Sequence, residues 1–323
     1  MRINRRTFLT ALVGAALADR AAWAQDSQTR PVRLIVPRAP GGGSDNLARV
    51  LSGALKERLG QTIVVENRPD ATAIVGAEVV MRAQPDGLTL YLSDNSFYQN
   101  PAFLPHVPYD TIRDFTAVTM LAQSPLILIV HPAVPVRSVK ELIAYAKANP
   151  GKLNFASGGI GSSGHFAGVL FNLRAGTDMT HVPFKSAGPA LAALLGNQVQ
   201  LQYGGISSAR PLIADGRVRA LAVSGRTRDP AMPEVPTVRE AGLEGLEEIL
   251  STFGIHAPAK TPLTVRRRLR DAIVATMAEP AIAQRMREMG YTPVGNTPEE
   301  HQRQTEELIA LWIDVGRRVE LNK

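Results

Sequence analysis

Three glycine- and serine-rich segments are the residues of this chain best suited to bind a small anion. They are residues 40–45 (Pro-Gly-Gly-Gly-Ser-Asp), 157–165 (Ser-Gly-Gly-Ile-Gly-Ser-Ser-Gly-His) and 185–189 (Lys-Ser-Ala-Gly-Pro), called here loop one, loop two and loop three. Each lies between a predicted strand and a predicted helix, at the end of the strand where open α/β sheets bind ligands. Glycine lets a ligand approach the backbone, and the free N–H groups of a helix start attract anions.

Backbone N–H groups of this kind are strong enough to hold a carboxylate without a dedicated arginine. A hydrogen bond to a charged group contributes about 1.5–3 kcal/mol net. Micromolar affinity requires about 8 kcal/mol, so about four or five such bonds supply it with some surplus for ordering costs. The three loops together therefore predict a site for a small anion.

Phosphate binding and catalysis fit the same residues less well. Loop one lacks the Lys-Ser/Thr pair of a nucleotide-triphosphate loop, and loop two lacks the spacing of the dinucleotide fingerprint. Ser162, Ser163 and His165 suggest a nucleophile beside a base. However, neighbours in a loop seldom have the required geometry, and no G-x-S-x-G turn is present. The prediction is a small anion and no catalytic residue, with a serine hydrolase as a lesser alternative.

Metal and cofactor sites are not expected. The chain has no cysteine, which excludes disulfides, thiol nucleophiles, cysteine–zinc sites and a lipoprotein anchor. The six histidines, at positions 106, 131, 165, 181, 256 and 301, have no paired metal-ligand spacing. We therefore predict no metal and no cofactor.

The composition is that of a folded protein that does not bind nucleic acid. Hydrophobic residues make up 45% and charged residues 20%, which permits a sizeable core and argues against disorder. The net charge of +7 is spread along the chain, the densest cluster being the four arginines of residues 266–270. Nucleic-acid binders concentrate such charge and interleave aromatic residues, and no segment does so here.

The first 24 residues have the pattern of a cleaved export signal. Arg2, Arg5 and Arg6 precede a short apolar run at residues 8–18, and the small residues Ala22 and Ala24 predict cleavage after Ala24. The run is too short to span a bilayer. The segment around Arg5 and Arg6 also resembles a twin-arginine signal, which implies export in a folded state. An amphipathic first helix is the alternative. The prediction is a periplasmic protein that is not itself membrane-embedded.

After residue 30, short β-like runs alternate with helical patterns. Strands are predicted at residues 32–36, 63–66 and 88–92, with helices at 46–59 and 76–83. A second set has strands at 126–130, 153–156, 180–184, 199–203 and 219–223, and helices at 139–148, 166–174, 189–195 and 209–215. The tail is helical at 263–278, 281–289 and 298–320. This order predicts two α/β lobes with mostly parallel sheets, the tail packing on the first lobe.

Ordered motifs along the chain resemble those of a known family. Arg-Leu-Ile-Val-Pro (33–37) leads into Gly-Gly-Gly-Ser-Asp (41–45), followed by Val-Glu-Asn-Arg-Pro (65–69) and Pro-Asp-Gly (85–87). Pro-Gly-Lys-Leu-Asn (150–154), His-Val-Pro-Phe-Lys (181–185), Arg-Ala-Leu-Ala-Val (219–223) and Pro-Glu-Val-Pro-Thr (233–237) come later. Together they resemble the Bug (TctC-like) family, the substrate-binding proteins of tripartite tricarboxylate transporters.

The resemblance implies a type II periplasmic binding protein fold, with two α/β lobes joined by two crossover segments and a ligand cleft between them. Lobe one is expected at residues 25–124 and 225–323, and lobe two at residues 125–224. The crossovers would then lie near residues 123–125 and 223–226, where a hinge is expected. The resemblance also implies that a ligand carboxylate meets backbone groups and bridging waters at loops one and two.

The predicted ligand contacts come from both lobes. In lobe one they are Gly41, Gly42, Gly43, Ser44, Asp45, Asn67, Ser93 and Asn95, and in lobe two Ser157, Ser162, Ser163, His165, Lys185, Ser186 and Ala187. Of these, Asp45 fits a helix cap better than a ligand contact because an acid opposes an anion. Two departures from the family affect the ligand: Asp70 lies where glycines are usual, and an Asp or Asn is missing at Gly204.

The sequence thus predicts a monomeric solute-binding protein that captures a small carboxylate for a tripartite tricarboxylate-type transporter. The ligand class spans di- and tricarboxylates, amino acids and aromatic acids. The expected partners are the ligand and membrane permease subunits. A periplasmic sensor that reports the same ligand to a sensor kinase is the alternative, and the sequence alone does not separate the two.

Overall fold

The computed structural model describes residues 30–319 except residues 71, 231 and 248, so the leader predicted at residues 1–24 lies outside the described part. The first half contains β1 (Val32–Val36), α1 (Gly43–Leu59), β2 (Ile63–Asn67), α2 (Ile74–Met81), β3 (Thr89–Ser93), α3 (Asn95–Phe103), β4 (Phe115–Val130), α4 (Val139–Ala148), β5 (Asn154–Ser157) and α5 (Ser163–Ala175). The second half contains β6 (Thr180–Pro183), α6 (Ala187–Leu195), β7 (Leu201–Gly205), α7 (Ile206–Ala214), β8 (Arg219–Val223), β9 (Leu250–Pro258), α8 (Leu263–Met277), α9 (Pro280–Glu288), β10 (Thr292–Pro293) and α10 (Pro298–Val319).

The sheet is mixed and not mostly parallel. Its strands are hydrogen-bonded in the order β2-β1-β3-β9-β4-β7-β5-β6, and β8 and β10 also pair with β4. Strand β1 is parallel to β2 and β3, and β5 is parallel to β6 and β7. Strands β4 and β9 are antiparallel to every strand they pair with. The predicted parallel pairing therefore holds around β1 and β5, whereas the strands between these two groups run the other way.

Strand β4 connects the two halves of the sheet. Its residues 115–125 pair with β9, and its residues 126–130 pair with β7 and β8. At the junction the Leu126 N–H donates to the Ser224 hydroxyl (2.8 Å), and the Ser224 N–H donates to the Leu126 carbonyl (2.8 Å). The chain therefore crosses between the two α/β lobes twice at one level, within β4 and directly after β8. We call the half of the sheet that contains β1–β3, β9 and β10 the first lobe, and the half that contains β5–β8 the second.

Five helices that follow strands begin two or three residues earlier than predicted, and α1, α5 and α6 are the three of them that follow loops one, two and three. The periodicity places the starts at residues 46, 166 and 189, whereas α1, α5 and α6 begin at Gly43, Ser163 and Ala187. Their first turns are rich in glycine, serine and alanine. These residues do not form the apolar stripe at helical spacing from which a helix is predicted. As a result, the N-termini of these helices lie within loops one, two and three.

Three other stretches differ from the prediction. Helix α3 was not predicted, because its residues include Pro101 and a run of buried polar side chains. Strand β9 was not predicted either, since Gly254 and His256 interrupt its apolar run. The first part of β4 is also strand, although only residues 126–130 have the continuous apolar pattern. Each of these elements packs inside the protein, where tertiary contacts outweigh weak local propensity.

The last helix packs against both lobes. It begins with a capping box in which the Thr297 N–H donates to the Glu300 carboxylate (2.8 Å) and the Glu300 N–H donates to the Thr297 hydroxyl (3.2 Å). Further along α10, the Trp312 ring lies 4.7 Å from Phe166 in α5 and 6.2 Å from Phe103 in α3. These aromatic contacts bury apolar surface across the two lobes. The tail therefore contacts the second lobe as well as the first.

Candidate functional site

Loop one ends in a helix start that has no side-chain cap. Gly42 is the N-cap of α1 and supplies no side-chain hydrogen bond. The N–H groups of Gly43, Ser44 and Asp45 are in the first turn, where a helix provides them with no partner. The Ser44 hydroxyl, 2% exposed, also has no hydrogen-bond partner. Loop one thus combines backbone donors with an unpaired buried hydroxyl, which is the chemistry of an anion site.

Asp45 and Asn67 hold loop one in shape. The Asp45 carboxylate accepts from the Gly41 N–H (2.8 Å), from Arg49 (2.9 Å) and from the Asn67 amide (2.9 Å). Burial raises the pKa of Asp45, but the hydrogen bonds from Arg49, Gly41 and Asn67 outweigh it and keep the pKa below its usual value. The Asn67 amide also donates to the Arg38 carbonyl (2.9 Å). Both polar groups bond within the first lobe in this structure.

Loop two folds around Ser157 and leads into α5. The Ser157 hydroxyl donates to the Gly159 carbonyl (3.0 Å) and lies 2.7 Å from Nε2 of His181. Ser162 is the N-cap of α5, and its hydroxyl accepts from the His165 N–H (3.3 Å). Ser163 is in the first turn, and its hydroxyl lies 3.0 Å from that of Ser251 in β9. The start of α5 therefore contacts the first lobe.

His165 and His181 are neutral supports of loop two. Their rings stack with centroids 4.1 Å apart, and Nδ1 of His165 accepts from the Gly161 N–H (3.3 Å). Burial lowers the pKa of His165 to about 4. Burial and the neighbouring His165 lower the pKa of His181 to about 3. Because both rings are uncharged at neutral pH, neither adds positive charge to this region, whereas the N-terminus of α5 adds positive polarity.

Loop three lies directly against loop two. Ser186 is the N-cap of α6 without a side-chain hydrogen bond, and Lys185 and Ala187 are exposed. A Cβ atom on Gly158 would be 3.1 Å from the Ala187 nitrogen, so only glycine fits easily at this position. The structure therefore brings the second-lobe candidates together at the carboxyl ends of β5 and β6.

Ser93 and Asn95 lie inside the first lobe. The Ser93 hydroxyl is fully buried, 3.0 Å from the Tyr98 hydroxyl and 3.1 Å from Nδ1 of His256. The Asn95 amide donates to the Leu250 carbonyl (2.7 Å), and its oxygen accepts from the Thr252 N–H (2.7 Å). Ser93 therefore belongs to a core network, and Asn95 connects α3 to β9 on either side of Ser251.

A chain of contacts through α3 connects loop one with loop two. The Arg38 guanidinium donates to the Asp94 carboxylate (2.6 Å) and to the Ser96 hydroxyl (2.6 Å), which in turn donates to the Gly161 carbonyl (3.1 Å). Tyr291 lies on the other side of loop one, with its hydroxyl 2.7 Å from where a Cβ on Gly43 would be. Arg38, Ser96 and Tyr291 are not among the contacts predicted from the sequence, since of the three only Arg38 lies near a predicted loop.

Asp70, which departs from the family pattern, caps a helix. Its carboxylate accepts from the N–H groups of Thr72 (3.1 Å), Ile74 (3.2 Å) and Val75 (3.3 Å) and from the Thr72 hydroxyl (2.7 Å). These donors lie at or just before the start of α2. The Asp70 carboxylate therefore offsets the positive polarity at the N-terminus of α2, and those N–H groups are not available to a ligand.

A separate open cavity of about 550 Å³ lies in the second lobe near the start of α4. Its lining mixes basic and acidic side chains, including Arg137, Lys140, Glu234 and Glu240, and contains no residue of loops one to three. Because its charges are mixed, it does not have the polarity expected of a site for an organic anion.

In loop two, neither Ser162 nor Ser163 forms a nucleophile–base pair with the His165 ring. The Ser162 hydroxyl accepts from the backbone of His165, whose Nδ1 atom is occupied by the Gly161 N–H. The fully buried Ser157 contacts His181 but also bonds within its own loop.

In the described part of the chain there is no group of three potential metal ligands and no helix able to span a membrane.

Comparison with known sequences identifies the family of the chain. The model of the tripartite tricarboxylate transporter family receptor (TctC) matches residues 47–318. A Pseudomonas protein, described as the UPF0065 protein in the tcbD-tcbE intergenic region, is 37% identical over 300 residues, covering 92% of this chain and 89% of its own. Protein BugT of Bordetella pertussis is 33% identical over 318 residues, covering 96% and 97%.

Solved structures share the fold over most of both chains. A Rhodopseudomonas palustris protein with adipate is 33% identical, with a TM-score of 0.83, covering 90% of this chain and 97% of its own. MatC of the same organism, with bound malate, is 32% identical with a TM-score of 0.81 and coverage of 89% and 99%. The periplasmic binding protein BugD is 32% identical with a TM-score of 0.82 and coverage of 90% and 98%.

These matches agree with the two-lobed architecture and with the motifs of the sequence. The chain belongs to the TctC family of tripartite tricarboxylate transporter receptors, and is a periplasmic solute-binding protein of the Bug type with the type II fold, not an enzyme.

Proposed function

We propose that this protein captures a small carboxylate between its lobes, at the N-termini of α1 and α5. The observation that carries the proposal is Ser44, whose buried hydroxyl has no partner at a helix start that lacks a side-chain cap. An unpaired buried hydroxyl costs about 1–3 kcal/mol. A ligand carboxylate that accepts from this hydroxyl and the adjacent N–H groups removes that cost.

The relatives support a carboxylate with more than one polar group. Adipate and malate are the acids named for two structures that share about a third of their sequence with this chain. The ends of such a ligand would contact opposite lobes, one end at loop one and the other at loop two. Loop two lies near the segment before loop one, because Ser96 binds both Arg38 and the Gly161 carbonyl. The predicted contacts Gly41, Gly42, Lys185 and Ala187 belong to the same proposal, as exposed groups at the edges of these loops except for the half-buried Gly42.

Capture would involve closure of two rigid lobes. We assign residues 25–124 and 225–323 to lobe one and residues 125–224 to lobe two. The two crossings lie side by side, where Leu126 and Ser224 exchange two hydrogen bonds. Such adjacent crossings are a suitable hinge, because small backbone rotations in both change the angle between lobes.

The test is thermal shift followed by calorimetry with protein stripped of bound ligand by unfolding and refolding. The panel contains di- and tricarboxylates, aromatic acids and amino acids, with neutral sugars as negative probes. At least one acid is expected to raise the melting temperature by several degrees. For that acid, Ser44→Ala should weaken binding about tenfold, the effect of losing one hydrogen bond to a charged group. The control is Ser52→Ala, which removes an exposed hydroxyl of the same helix. Absence of a shift with every acid would contradict the proposal.

Export, delivery and oligomeric state extend this proposal. The mature protein is expected to begin at Gln25 in the periplasm, which N-terminal sequencing tests, and replacement of Arg5 and Arg6 by lysine should block its export. The protein is expected to be a monomer that delivers ligand to membrane permease subunits. Cross-linking in membranes distinguishes this from the alternative, a sensor that contacts a kinase, by identifying which membrane protein is captured.

A further inference from the structure

Gln202 in β7 has a buried amide oxygen that bonds to nothing in the described structure. Gln202 is 2% exposed, and its Oε1 atom has no hydrogen-bond partner. Its Nε2 atom donates weakly to the Ala187 carbonyl at 3.5 Å. Buried acceptors without a partner are rare in native proteins, and each requires an explanation.

The carboxamide lies between loops two and three. Gln202 pairs with Ala156, the residue before Ser157 in β5, and contacts Ala187 in the first turn of α6. Ala187 in turn packs against Gly158, because a Cβ on that glycine would be 3.1 Å from the Ala187 nitrogen. Ser186, the N-cap of helix α6, supplies no side-chain hydrogen bond to the helix start. The orphaned oxygen is therefore next to an open helix N-terminus at the carboxyl end of the strands.

The strand leaves space beside this carboxamide. Gly204 and Gly205 end β7 and carry no side chains. The atoms nearest to a Cβ on Gly204 would be Cδ and Nε2 of Gln202, both at 3.7 Å. A Cβ on Gly205 would be 3.7 Å from the Ser208 hydroxyl. A single added carbon atom at either position would therefore make ordinary contacts and no clash.

The charges favour a neutral donor at this position over an ammonium group. The second-lobe segments 157–165, 185–189 and 204–208 contain no Asp or Glu. In the first lobe, the carboxylates of Asp45, Asp70 and Asp94 accept from protein donors. A buried ammonium group requires a paired charge. A hydroxyl group, by contrast, requires only an acceptor such as an amide oxygen.

We propose that Gln202 is a specificity-determining residue whose Oε1 atom accepts a hydrogen bond from a hydroxyl group of the ligand, so that the protein selects hydroxycarboxylic acids. This inference deepens the proposed carboxylate capture and rests on it. The carboxylate is bound at the helix starts, and the hydroxyl supplies the hydrogen bond that the Gln202 Oε1 atom lacks.

The experiment compares acids that differ only by a hydroxyl group. Calorimetry on stripped protein measures the dissociation constants of malate and succinate, 2-hydroxyglutarate and glutarate, and lactate and propionate. For at least one pair, the unmodified protein should bind the hydroxy acid about tenfold more tightly, the effect of one well-made hydrogen bond. Gln202→Met, which keeps the volume but removes the acceptor, should reduce that preference to within about twofold.

Two further variants distinguish an effect of residue 202 on the hydroxyl preference from an effect on folding. Tyr203→Phe removes the neighbouring buried hydroxyl, which also has no partner but points to the opposite face of β7. It should leave the hydroxyl preference unchanged. Gly204→Ala fills the space beside Gln202 without a close contact, and should reduce the preference even if the methionine variant does not fold.

The outcomes separate this inference from the proposed function. If acids bind but hydroxy and deoxy members bind equally, Gln202 does not select a hydroxyl group and only the inference is wrong. The same conclusion follows if Gln202→Met or Gly204→Ala keeps the full preference. If none of the paired acids binds but another acid of the panel does, only the inference is wrong. If no acid of the whole panel binds the unmodified protein, carboxylate capture is contradicted as well.

Discussion

The hydroxyl oxygens of Ser163 and Ser251 lie 3.0 Å apart and connect the first turn of α5 in the second lobe to β9 in the first. Their neighbours reinforce this connection, since Asn95 binds the backbone of β9 on both sides of Ser251. A second bond, from the Ser96 hydroxyl to the Gly161 carbonyl, lies in the preceding part of loop two (3.1 Å). The start of α5 is therefore positioned by contacts from both lobes.

Removal of the serine pair should lower the stability of the contact between the lobes. We expect Ser163→Ala and Ser251→Ala each to destabilise the protein. The loss of unfolding free energy in the double variant should be smaller than the sum of the two single losses. The difference should be about 0.5–1.5 kcal/mol, the contribution of one hydrogen bond. Urea denaturation of the four proteins measures this coupling. If the two effects add, the hydroxyl groups do not interact in solution.

Gly164 should not tolerate a side chain. A Cβ atom at this position would be 2.7 Å from the carbonyl oxygen of Tyr203, a backbone atom of the central strand β7 that has little freedom to move. We expect Gly164→Ala to reduce the free energy of unfolding by about 1–3 kcal/mol, as in other overpacked cores. The control is Gly53→Ala in α1, which has no neighbour within 4 Å and should stabilise its helix by about 0.5–1 kcal/mol. Equal stability of both variants would contradict this contact.

The positions of the binding loops were predictable from the sequence because glycine-rich segments between strands and helices have a local pattern. Loops one, two and three follow β1, β5 and β6, as expected from the strand patterns. The contacts between loops were not predictable in this way. Ser96 and Ser251 lie in α3 and β9. The polar and glycine residues of these two elements interrupt the periodic apolar pattern from which helices and strands are predicted.

The roles of individual polar residues also depended on tertiary contacts. Asp70 was ambiguous in the sequence, and only its four bonds to the start of α2 identify it as a cap. Likewise, Ser93 was expected at a strand end facing the ligand, but its partner His256 is 163 residues away in β9. Sequence spacing gave no information on a pairing over that distance.

Asp70 should contribute to stability and not to ligand discrimination. Asp70→Ala removes the acceptor for the first N–H groups of α2, so we expect a loss of about 1–2 kcal/mol in unfolding free energy. Affinity for the acid identified by thermal shift should change less than about twofold, because the carboxylate faces its own helix and not the ligand. Asp70→Asn, which retains an acceptor, should recover most of the stability. A large gain in affinity for either variant would instead mean that Asp70 repels the ligand.

The buried histidine of α10 should make stability depend on pH. His301 is 0% exposed and neither ring nitrogen has a hydrogen-bond partner in the described structure. Burial lowers the pKa of His301 to about 3. In the unfolded chain the ordinary pKa of histidine is about 6.5, so below that pH the unfolded state binds a proton that the folded state does not. Stability is therefore complete above about pH 6.5 and is lost as the pH falls towards about 3.

At pH 5.0 this one residue should account for a loss of about 2 kcal/mol, since each pH unit below 6.5 costs about 1.4 kcal/mol. We expect His301→Leu to reduce, by about that amount, the fall in unfolding free energy between pH 7.5 and pH 5.0. Urea denaturation at the two pH values measures the fall. The exposed His106→Gln serves as the control and should leave it unchanged. An equal fall for His301→Leu and the unmodified protein would show that the folded protein accepts the proton on His301, in conflict with its complete burial.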